Sequence, residues 1–542
     1  MNQENLNILI TASECRGLAK VGGLADVVMD LSYALQEEQI KVSIIIPYYD
    51  AINCDAKFLF ETEIEFGVSK HRIQVFHYIL NTVNIFLIKS ADYFSYEYGS
   101  IYIDSGKFQR GPFEDDAKRF AFFSKSVLEL LDNFEYFKDI NILHCNDWHT
   151  GVILTLLKYD SKYSKLAKKL KTVFTIHNLD YQGVRPFEMK ENGNLPCFKS
   201  WFPQLYENLK ADNKLTYIKD LNDQSCFNPM RAGIRCSNIA NTVSPTYSKE
   251  ITKKDNLSEN FMGGRGLESD LKKLYDNHKL KGILNGLDYK GNNPKELNPP
   301  FDSTIGNWMI SKECHKIQFL KNFSSNVQEI YQKIGDKFLN KETIFEKLKT
   351  YKYEEMKSKI LIVAVTRVVN QKMGILAEKL GKDSTLIEEM LKKNIFLIVF
   401  GSGELSPQME KINSFKNGFF INAFNPEFAK NLYIVGDLFL MPSDFEPCGI
   451  SQMIAMRYGC LPLAHNIGGL HDTISNMDTG FLYSGSDRNN AKKALLATFE
   501  KAISCFYNKK DMWNIMQEHS MTKRFLWYNS AKEYIKMYKE IY

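Results

Sequence analysis

The stretch that most constrains the fold of this chain covers residues 436–473. Near its start Leu438 to Met441 form an apolar run, which is the composition of a buried parallel strand. Pro442 and Ser443 interrupt that run, so a loop follows at the carboxyl end of the strand, where open α/β sheets bind their ligands. A helix comes next, and Ser451 lies in its first turn, where unpaired backbone amides attract an anion. The stretch therefore predicts a strand, a ligand-binding loop and a helix of a doubly wound sheet.

Glu446 places a carboxylate in that loop, beside the predicted anion site. An uncompensated negative charge would repel a phosphate, so a hydroxyl-rich ligand such as a sugar is its chemically sensible partner. The alternative is that Glu446 is a solvated loop residue and that the neighbouring glycines only form turns. The local chemistry alone leaves both interpretations open.

Three segments of this stretch carry a family resemblance: P-S-D-F-E-P-C-G-I-S-Q beginning at Pro442, M-R-Y-G beginning at Met456, and G-G-L-H-D-T beginning at Gly468. They closely resemble the bacterial glycogen synthase and plant starch synthase family. The E-P-C-G signature with a downstream G-G-L-x-D-T is specific to those glucosyltransferases. The resemblance implies that a set of loop residues contacts the nucleotide-sugar donor: Cys448, Gly449, Ile450 and Ser451.

The beginning of the chain contains a second candidate phosphate loop. Asn7 to Thr11 has the composition of a buried strand, and an amphipathic helix is predicted from Leu24 to Leu35. The adjacent glycines between them would let backbone amides approach a diphosphate, and Lys20 adds a mobile positive charge. A glycine pair alone is usually only a turn. The full pattern resembles the K-x-G-G-L-A-D-V motif of the same family, which implies donor contacts from Lys20, Gly22, Gly23 and Asp26.

Two further strand ends carry polar side chains. His149 follows the strand predicted over 141–144. A lone histidine is more often structural, but the run H-x-x-D-W-H-x-G resembles the family, which implies that His149 hydrogen-bonds the donor glucose. The strand predicted over 171–176 ends in a run that resembles T-x-H-N-x-x-Y-Q-G. That resemblance implies contacts to the acceptor glucan from His177, Asn178 and Tyr181.

Two cations follow the strongly apolar strand predicted over 360–365. Arg367 and Lys372 at a strand's carboxyl end could neutralise the charge that grows on a leaving nucleoside diphosphate, without a metal ion. The segment resembles S-R-x-x-x-Q-K-G of the family, which implies that both are catalytic, together with Glu446 and His149. Phe424 aligns roughly where the family stacks an aromatic ring on adenine, and core packing is the alternative.

Length and element order predict two domains. At 542 residues the chain is too long for one core, and at least seven short apolar runs separated by helical patterns imply two doubly wound α/β domains. The resemblance implies the GT-B arrangement of two Rossmann-like domains, with the donor in the cleft between them. We predict an N-terminal, acceptor-side domain over 1–285, a linker over 286–300 and a nucleotide-sugar domain over 301–524. A helical insertion is predicted at 317–359, and residues 525–542 are predicted to cross back to the N-terminal domain.

Composition excludes several classes of protein. The net charge of +5, from 69 basic and 64 acidic residues, is too small for this length to indicate nucleic-acid binding. There is no signal-peptide pattern and no apolar run of about 18 residues, so we expect a cytoplasmic protein without a membrane partner. The ten cysteines show no C-x-x-C pair and are interpreted as free thiols.

The resemblance implies a retaining enzyme that transfers glucose from ADP-glucose to the non-reducing end of an α-1,4-glucan, either glycogen or a starch-like polymer, with no cofactor and no metal. A UDP-glucose-dependent glucan synthase would share most of these residues. A glucan-binding scaffold that has lost catalysis is the alternative from another class. A glucan phosphorylase is disfavoured because no pyridoxal-lysine motif is found, and a dehydrogenase because no G-x-G-x-x-G follows the first strand.

Overall fold

The computed structural model describes residues 6–96, 99–103, 114–188, 197–334, 341–381 and 383–542. The chain divides into two units. The first consists of Met1–Asp255, Gly263–Gly286 and Leu526–Tyr542, and the second of Asn256–Met262 and Leu287–Phe525. The last helix of the chain is therefore part of the first unit, and a short segment from the first half is part of the second.

The first unit is built on a large sheet. Its strands are β1 (Asn7–Thr11), β2 (Lys41–Pro47), β3 (Lys57–Phe66), β4 (Ser69–Leu80), β5 (Val83–Lys89), β6 (Ile142–Asn146), β7 (Lys171–Ile176), β8 (Arg185–Pro186), β9 (Cys226–Phe227), β10 (Ile239–Thr242) and β11 (Leu280–Gly282). Nine of them form a sheet in the order β11-β10-β7-β6-β1-β2-β5-β4-β3. The pairings are parallel except those of β4 with β3 and β5, and β8 pairs separately with β9.

Helices of the first unit follow most of these strands. They are α1 (Gly23–Glu37), α2 (Ala91–Phe94), α3 (Glu114–Asn133), α4 (Asp147–Tyr159), α5 (Ser164–Lys169), α6 (Phe198–Trp201), α7 (Pro203–Ala211), α8 (Pro229–Cys236), α9 (Pro245–Glu250) and α10 (Glu268–Asp276). The apolar strands and these helices share one core, in which β1, β6 and β7 are central.

The strand order places a topological switch point between β1 and β6. These two strands pair in parallel, with Thr11 opposite Cys145. The chain leaves β1 toward β2 on one side and leaves β6 toward β7 on the other. The loops at the carboxyl ends of β1 and β6 therefore open beside each other, and such a switch point is where doubly wound sheets bind ligands.

The second unit has an entirely parallel six-stranded sheet. Its strands are β12 (Ile360–Val365), β13 (Ile395–Phe400), β14 (Gly418–Ile421), β15 (Leu438–Met441), β16 (Leu461–His465) and β17 (Phe481–Tyr483), in the order β14-β13-β12-β15-β16-β17. Most of these strands are continuous apolar runs, as expected where helices cover both faces. The switch point lies between β12 and β15, so the loops after these two strands are neighbours.

Helices of the second unit precede and follow this sheet. They are α11 (Trp308–Lys321), α12 (Phe323–Ile334), α13 (Lys341–Lys349), α14 (Tyr353–Met356), α15 (Asn370–Ala377), α16 (Leu386–Leu391), α17 (Ser406–Met409), α18 (Pro426–Val435), α19 (Ser451–Arg457), α20 (Gly468–Thr473), α21 (Arg488–Asn508) and α22 (Lys510–Thr522). The predicted fold class, two doubly wound α/β units, is confirmed by the two sheets. Within the described ranges, none of the helices has the length and apolarity needed to span a bilayer.

The C-terminal helix α23 (Trp527–Ile541) packs on α1 and is fixed to the first sheet by buried polar side chains. The Tyr538 hydroxyl lies 2.8 Å from Nδ1 of His144, whose Nε2 lies 2.6 Å from the Thr175 hydroxyl. Thr175 in turn donates to Oδ1 of Asn241, whose amide donates to the Tyr534 hydroxyl. Each side chain in this series of hydrogen bonds has a partner, so the helix is attached by specific hydrogen bonds as well as by apolar packing.

We expect Tyr538→Phe to destabilise the protein by about 1–3 kcal/mol, because it leaves the buried Nδ1 of His144 without its donor. The midpoint of urea unfolding measures the change. Tyr542→Phe is the control, since Tyr542 is 48% exposed and its replacement should stay within about 0.5 kcal/mol. Equal midpoints for the two variants would contradict the importance of this network.

Candidate active site

The loop after β1 places Lys20 beside the start of α1. The Lys20 ammonium lies 2.7 Å from each carboxylate oxygen of Asp26, in the first turn of that helix. Gly22 is the N-cap and Gly23 the first helical residue, so the Gly23 amide has no intrahelical partner. The structure therefore brings together the four predicted donor-binding residues of this loop: Lys20, Gly22, Gly23 and Asp26.

Glu14 shapes this loop and was missed in the sequence. Its carboxylate is 3% exposed and accepts hydrogen bonds from the amides of Val21 at 2.6 Å and Gly22 at 2.9 Å. The Tyr102 hydroxyl donates to its other oxygen at 2.6 Å. The Gly22 amide is thus already engaged by a protein carboxylate, so Lys20 and the Gly23 amide are the groups of this loop that remain as candidates to bind an anion. The only sequence signal was a carboxylate shortly after an apolar strand.

His149 is buried in the first turns of α4, directly after β6. It is 6% exposed, and its ring packs against Phe120 and Trp148, with centroids 4.8 and 4.3 Å away. Nδ1 of His149 is buried and has no hydrogen-bond partner among the residues that the structure describes. Burial lowers the pKa of His149 to about 3, so its imidazole is neutral near pH 7. A neutral imidazole with an unused nitrogen is suited to a ligand hydroxyl.

The predicted acceptor residues follow β7 and differ in environment. Nε2 of His177 lies 2.9 Å from Oδ1 of Asn146, and the backbone amide of His177 donates to Oδ1 of Asp147 at 2.7 Å. The Asn178 side chain accepts from the amide of Asp180, so it shapes the turn. The Tyr181 side chain is 44% exposed. Of the three, Tyr181 therefore presents the largest accessible surface.

Stability should fall as the pH drops below 6.5, because burial lowers the pKa values of His144, His149 and His177 to about 3 each. Histidines of the unfolded chain titrate near pH 6.5, so the unfolded state binds these protons first as the pH falls. At pH 5.5 each histidine therefore lowers the free energy of unfolding by about 1 kcal/mol. Asp147 opposes part of this loss, since burial raises its pKa to about 7 and the folded state takes up that proton first. We expect a lower urea midpoint at pH 5.5 than at 7.5, and a flatter dependence for His177→Asn. A higher midpoint at pH 5.5 would refute the assignment.

In the second unit the catalytic candidates gather at the switch point between β12 and β15. Arg367 follows β12 and is exposed, and Lys372 lies in the first turn of α15. The Lys372 ammonium contacts the Glu446 carboxylate, which lies in the loop after β15. The side chains of Lys372 and Glu446 are only 15% and 7% exposed. Two residues separated by 74 positions thus form a largely buried ion pair.

The loop that carries Glu446 is fixed residue by residue. Nδ1 of His465 lies 3.2 Å from the Ser443 carbonyl, and the Ser443 hydroxyl donates to Glu446 at 3.3 Å. The backbone carbonyl of Gln371 accepts a hydrogen bond from the Asp444 amide at 2.8 Å. The side-chain amide of Gln371 donates to the Phe445 carbonyl at 3.1 Å. These bonds hold the loop in the conformation in which Glu446 contacts Lys372.

The remaining donor candidates flank that loop. Gly449 has φ +74°, a conformation that other residues rarely adopt. The backbone of Gly469 lies so close to Cys448 that a Cβ added to Gly469 would be 2.3 Å from the Cys448 Cα. Ile450 is the N-cap of α19, which begins at Ser451. Phe424 follows β14, two strands from β12, and is 77% exposed. It is therefore not a core residue, and its ring is accessible for stacking.

Comparison with solved structures defines the class of protein. The catalytic domain of starch synthase IV from Arabidopsis thaliana bound to ADP and acarbose is similar with a TM-score of 0.74 and 26% identity, over 99% of each chain. A sucrose-phosphate synthase from Thermosynechococcus elongatus has a TM-score of 0.53 at 14% identity, over 99% of this chain and 98% of that one, a likeness of fold alone. The chain is a glycosyltransferase with the GT-B fold.

Family models and curated relatives then identify the family. Residues 7–273 match the starch synthase catalytic domain, and residues 348–511 match glycosyl transferases group 1. A glycogen synthase from Finegoldia magna is 32% identical, and one from Clostridioides difficile is 31% identical, each over 99% of this chain and 100% of the relative. The chain belongs to the glycogen synthase and starch synthase family, which confirms the resemblance identified in its sequence.

Proposed function

We propose that this enzyme transfers glucose from ADP-glucose to the non-reducing end of an α-1,4-glucan, with retention of configuration. The observation that carries the proposal is the buried contact of Lys372, five residues after Arg367, with Glu446 at the switch point of the second sheet. Similarity over the full chain to a starch synthase bound to ADP and acarbose supports the nucleotide and the glucan as substrates.

The proposed reaction breaks the bond between C1 of glucose and the phosphate oxygen. Arg367 and Lys372 stabilise the negative charge that develops on the departing ADP, and Lys20 with the Gly23 amide binds its phosphates. The acceptor 4-hydroxyl oxygen forms a bond to C1 on the face that the phosphate leaves, and its proton passes to the leaving phosphate. This route gives retention and requires no second carboxylate.

Other side chains bind and orient the glucosyl group and the base. Glu446 and the neutral His149 position the glucose through its hydroxyls, and Phe424 stacks on the adenine. Asp26 orients Lys20, and the backbone from Cys448 to Ser451 lines the donor site. His177, Asn178 and Tyr181 contact the acceptor.

The proposal includes no cofactor and no metal ion, because Arg367 and Lys372 supply the positive charge that a divalent cation would otherwise provide. It also places the enzyme in the cytoplasm, acting on a polymer there, with no nucleic acid or membrane as partner. Chelation with EDTA should leave the rate of transfer unchanged. A rate that falls with EDTA and returns with Mg²⁺ would refute this part.

Incorporation of labelled glucose into glycogen, from ADP-glucose and separately from UDP-glucose, tests the proposal. We expect strong transfer from ADP-glucose and at least tenfold lower kcat/KM with UDP-glucose. A preference for UDP-glucose would retain the mechanism and change the donor. If neither donor supports transfer while glycogen still binds, the chain is a glucan-binding scaffold and the proposed activity is wrong.

A further inference from the structure

Arg488, the first residue of α21, contacts three separate segments of the second unit. Its guanidinium contacts the Asp444 carboxylate, lies 2.6 Å from Oε1 of Glu378 and donates to Oδ1 of Asn260 at 3.0 Å. The side chains of Arg488 and Asp444 are 25% and 15% exposed. This arginine is therefore engaged mainly by protein groups, in contrast to the exposed Arg367.

The two carboxylates belong to the segments that carry the catalytic pair. Asp444 lies two residues before Glu446, in the loop after β15. Glu378 directly follows α15, the helix that begins with the turn containing Lys372. Arg488 thus links the loop of Glu446 to the helix of Lys372 through contacts separate from the ion pair of Lys372 with Glu446. We refer to Arg488, Asp444 and Glu378 as the clamp.

The chemistry of arginine suits this arrangement. A guanidinium presents its donors in a rigid planar fork, so one side chain can bind two carboxylates in fixed directions. Nε of Arg488 donates a hydrogen bond to Glu378, and one terminal nitrogen donates to Asp444. Arg488 also lies close to α15 at Gly374, where an added Cβ would be 3.6 Å from the guanidinium, an ordinary van der Waals distance.

A second cation on the same helix makes only one of these contacts. Lys492, one turn after Arg488, lies 3.4 Å from Oε2 of Glu378 and donates to the Lys379 carbonyl at 2.9 Å. Among the residues that the structure describes, no ion pair or hydrogen bond joins Lys492 to Asp444. Lys492 therefore attaches α21 to the end of α15 without reaching the loop of Glu446, which makes it a matched control for Arg488.

We infer that Arg488 is a positioning residue for the proposed glucosyl transfer, because it fixes the distance between the Lys372 ammonium and the Glu446 carboxylate through Glu378 and Asp444. It does not itself contact the reacting groups. Catalysis that depends on electrostatic preorganisation is sensitive to shifts of about 1 Å in such groups. This inference rests on the proposed function for its kinetic consequences, whereas the clamp itself can be tested without turnover.

Kinetic comparison of Arg488→Gln, Arg488→Lys and Lys492→Gln tests the inference. We expect kcat to fall about 30-fold in Arg488→Gln with KM for ADP-glucose changed less than threefold, since the lost interaction acts on the transition state. The kcat of Arg488→Lys should lie between those of Arg488→Gln and the wild type, because a lysine can reach only one of the two carboxylates at a time. Lys492→Gln should keep the wild-type kcat. A kcat within twofold of wild type for Arg488→Gln, or the same loss in both Gln variants, would overturn the inference.

Two further measurements separate positioning from general stability. In a double-mutant cycle with Asp444→Asn, the double variant should be no slower than the slower single variant, because both remove the same bridge. Additive losses would refute the bridge. Hydrogen exchange of the peptide covering residues 442–449 should be faster in Arg488→Gln and unchanged in Lys492→Gln. If the wild type transfers no glucose, the proposed function fails, and the exchange result alone then decides whether the clamp exists.

Discussion

Replacing Lys372 with alanine is expected to lower kcat for glucosyl transfer about 10³-fold. The Lys372 side chain is 15% exposed, and its ammonium contacts Glu446 at the switch point of the second sheet. A positive charge sheltered from water stabilises the charge that develops on a phosphate far more strongly than the same charge in water does. Removal of one such group from other enzymes lowers kcat by about 10²–10³-fold or more. Release of ADP in the steady state, with glycogen as acceptor, measures the effect.

Lys393→Ala is the control for that prediction. Lys393 forms an ion pair with Glu500 on the surface and is 37% exposed, so its loss should leave kcat unchanged. Binding of glycogen should survive in both variants, because Lys372 is not among the residues proposed to contact the acceptor. Retention of more than a tenth of the wild-type kcat by Lys372→Ala would show that another group carries the charge on the leaving ADP.

The strands of the parallel sheets were predictable because they are buried on both faces. Their sequences are short, continuous apolar runs, and β1, β12 and β15 begin and end at the residues expected from those runs. The hairpin of β3 and β4 was not predicted. It lies at an edge of the sheet with charged and exposed residues along both strands, so its apolar signal is diluted.

The spatial neighbours within the candidate site were predictable only in part. Arg367, Lys372 and Glu446 were each assigned from local motifs, but the contact of Lys372 with Glu446 depends on β12 lying next to β15. Local sequence does not determine strand order. The family resemblance implied that the two residues share a site, and the strand order supplies the physical reason.

The residues that shape the site without belonging to a motif were not predicted at all. Glu14 engages the amides of Val21 and Gly22, and Arg488 binds Asp444 from a position 44 residues later. A charged residue in a loop or at the start of a helix is usually solvated, so the place of Glu14 shortly after an apolar strand is only a weak signal and Arg488 has none. Their roles follow from burial and from the groups that they contact.

Replacing Glu446 with glutamine is expected to lower kcat about 10²-fold and to leave measurable transfer. Glu446 is 6% exposed, with its carboxylate contacted by Lys372 and by the Ser443 hydroxyl. Glutamine keeps the shape and one acceptor but loses the charge that holds Lys372, so positioning of the glucose and of the ammonium both deteriorate. Transfer from ADP-glucose, with KM determined for donor and acceptor, measures the loss.

Azide distinguishes this positioning role from covalent catalysis by Glu446. If Glu446 attacked C1 to form a glucosyl enzyme, Glu446→Ala would leave room for azide to replace it, and β-glucosyl azide would accumulate as ADP departs. We expect no rescue by azide and no such product, because attack by the acceptor on the face that the phosphate leaves requires no protein nucleophile. Formation of β-glucosyl azide by Glu446→Ala, but not by Lys372→Ala, would replace the same-face mechanism with a double displacement.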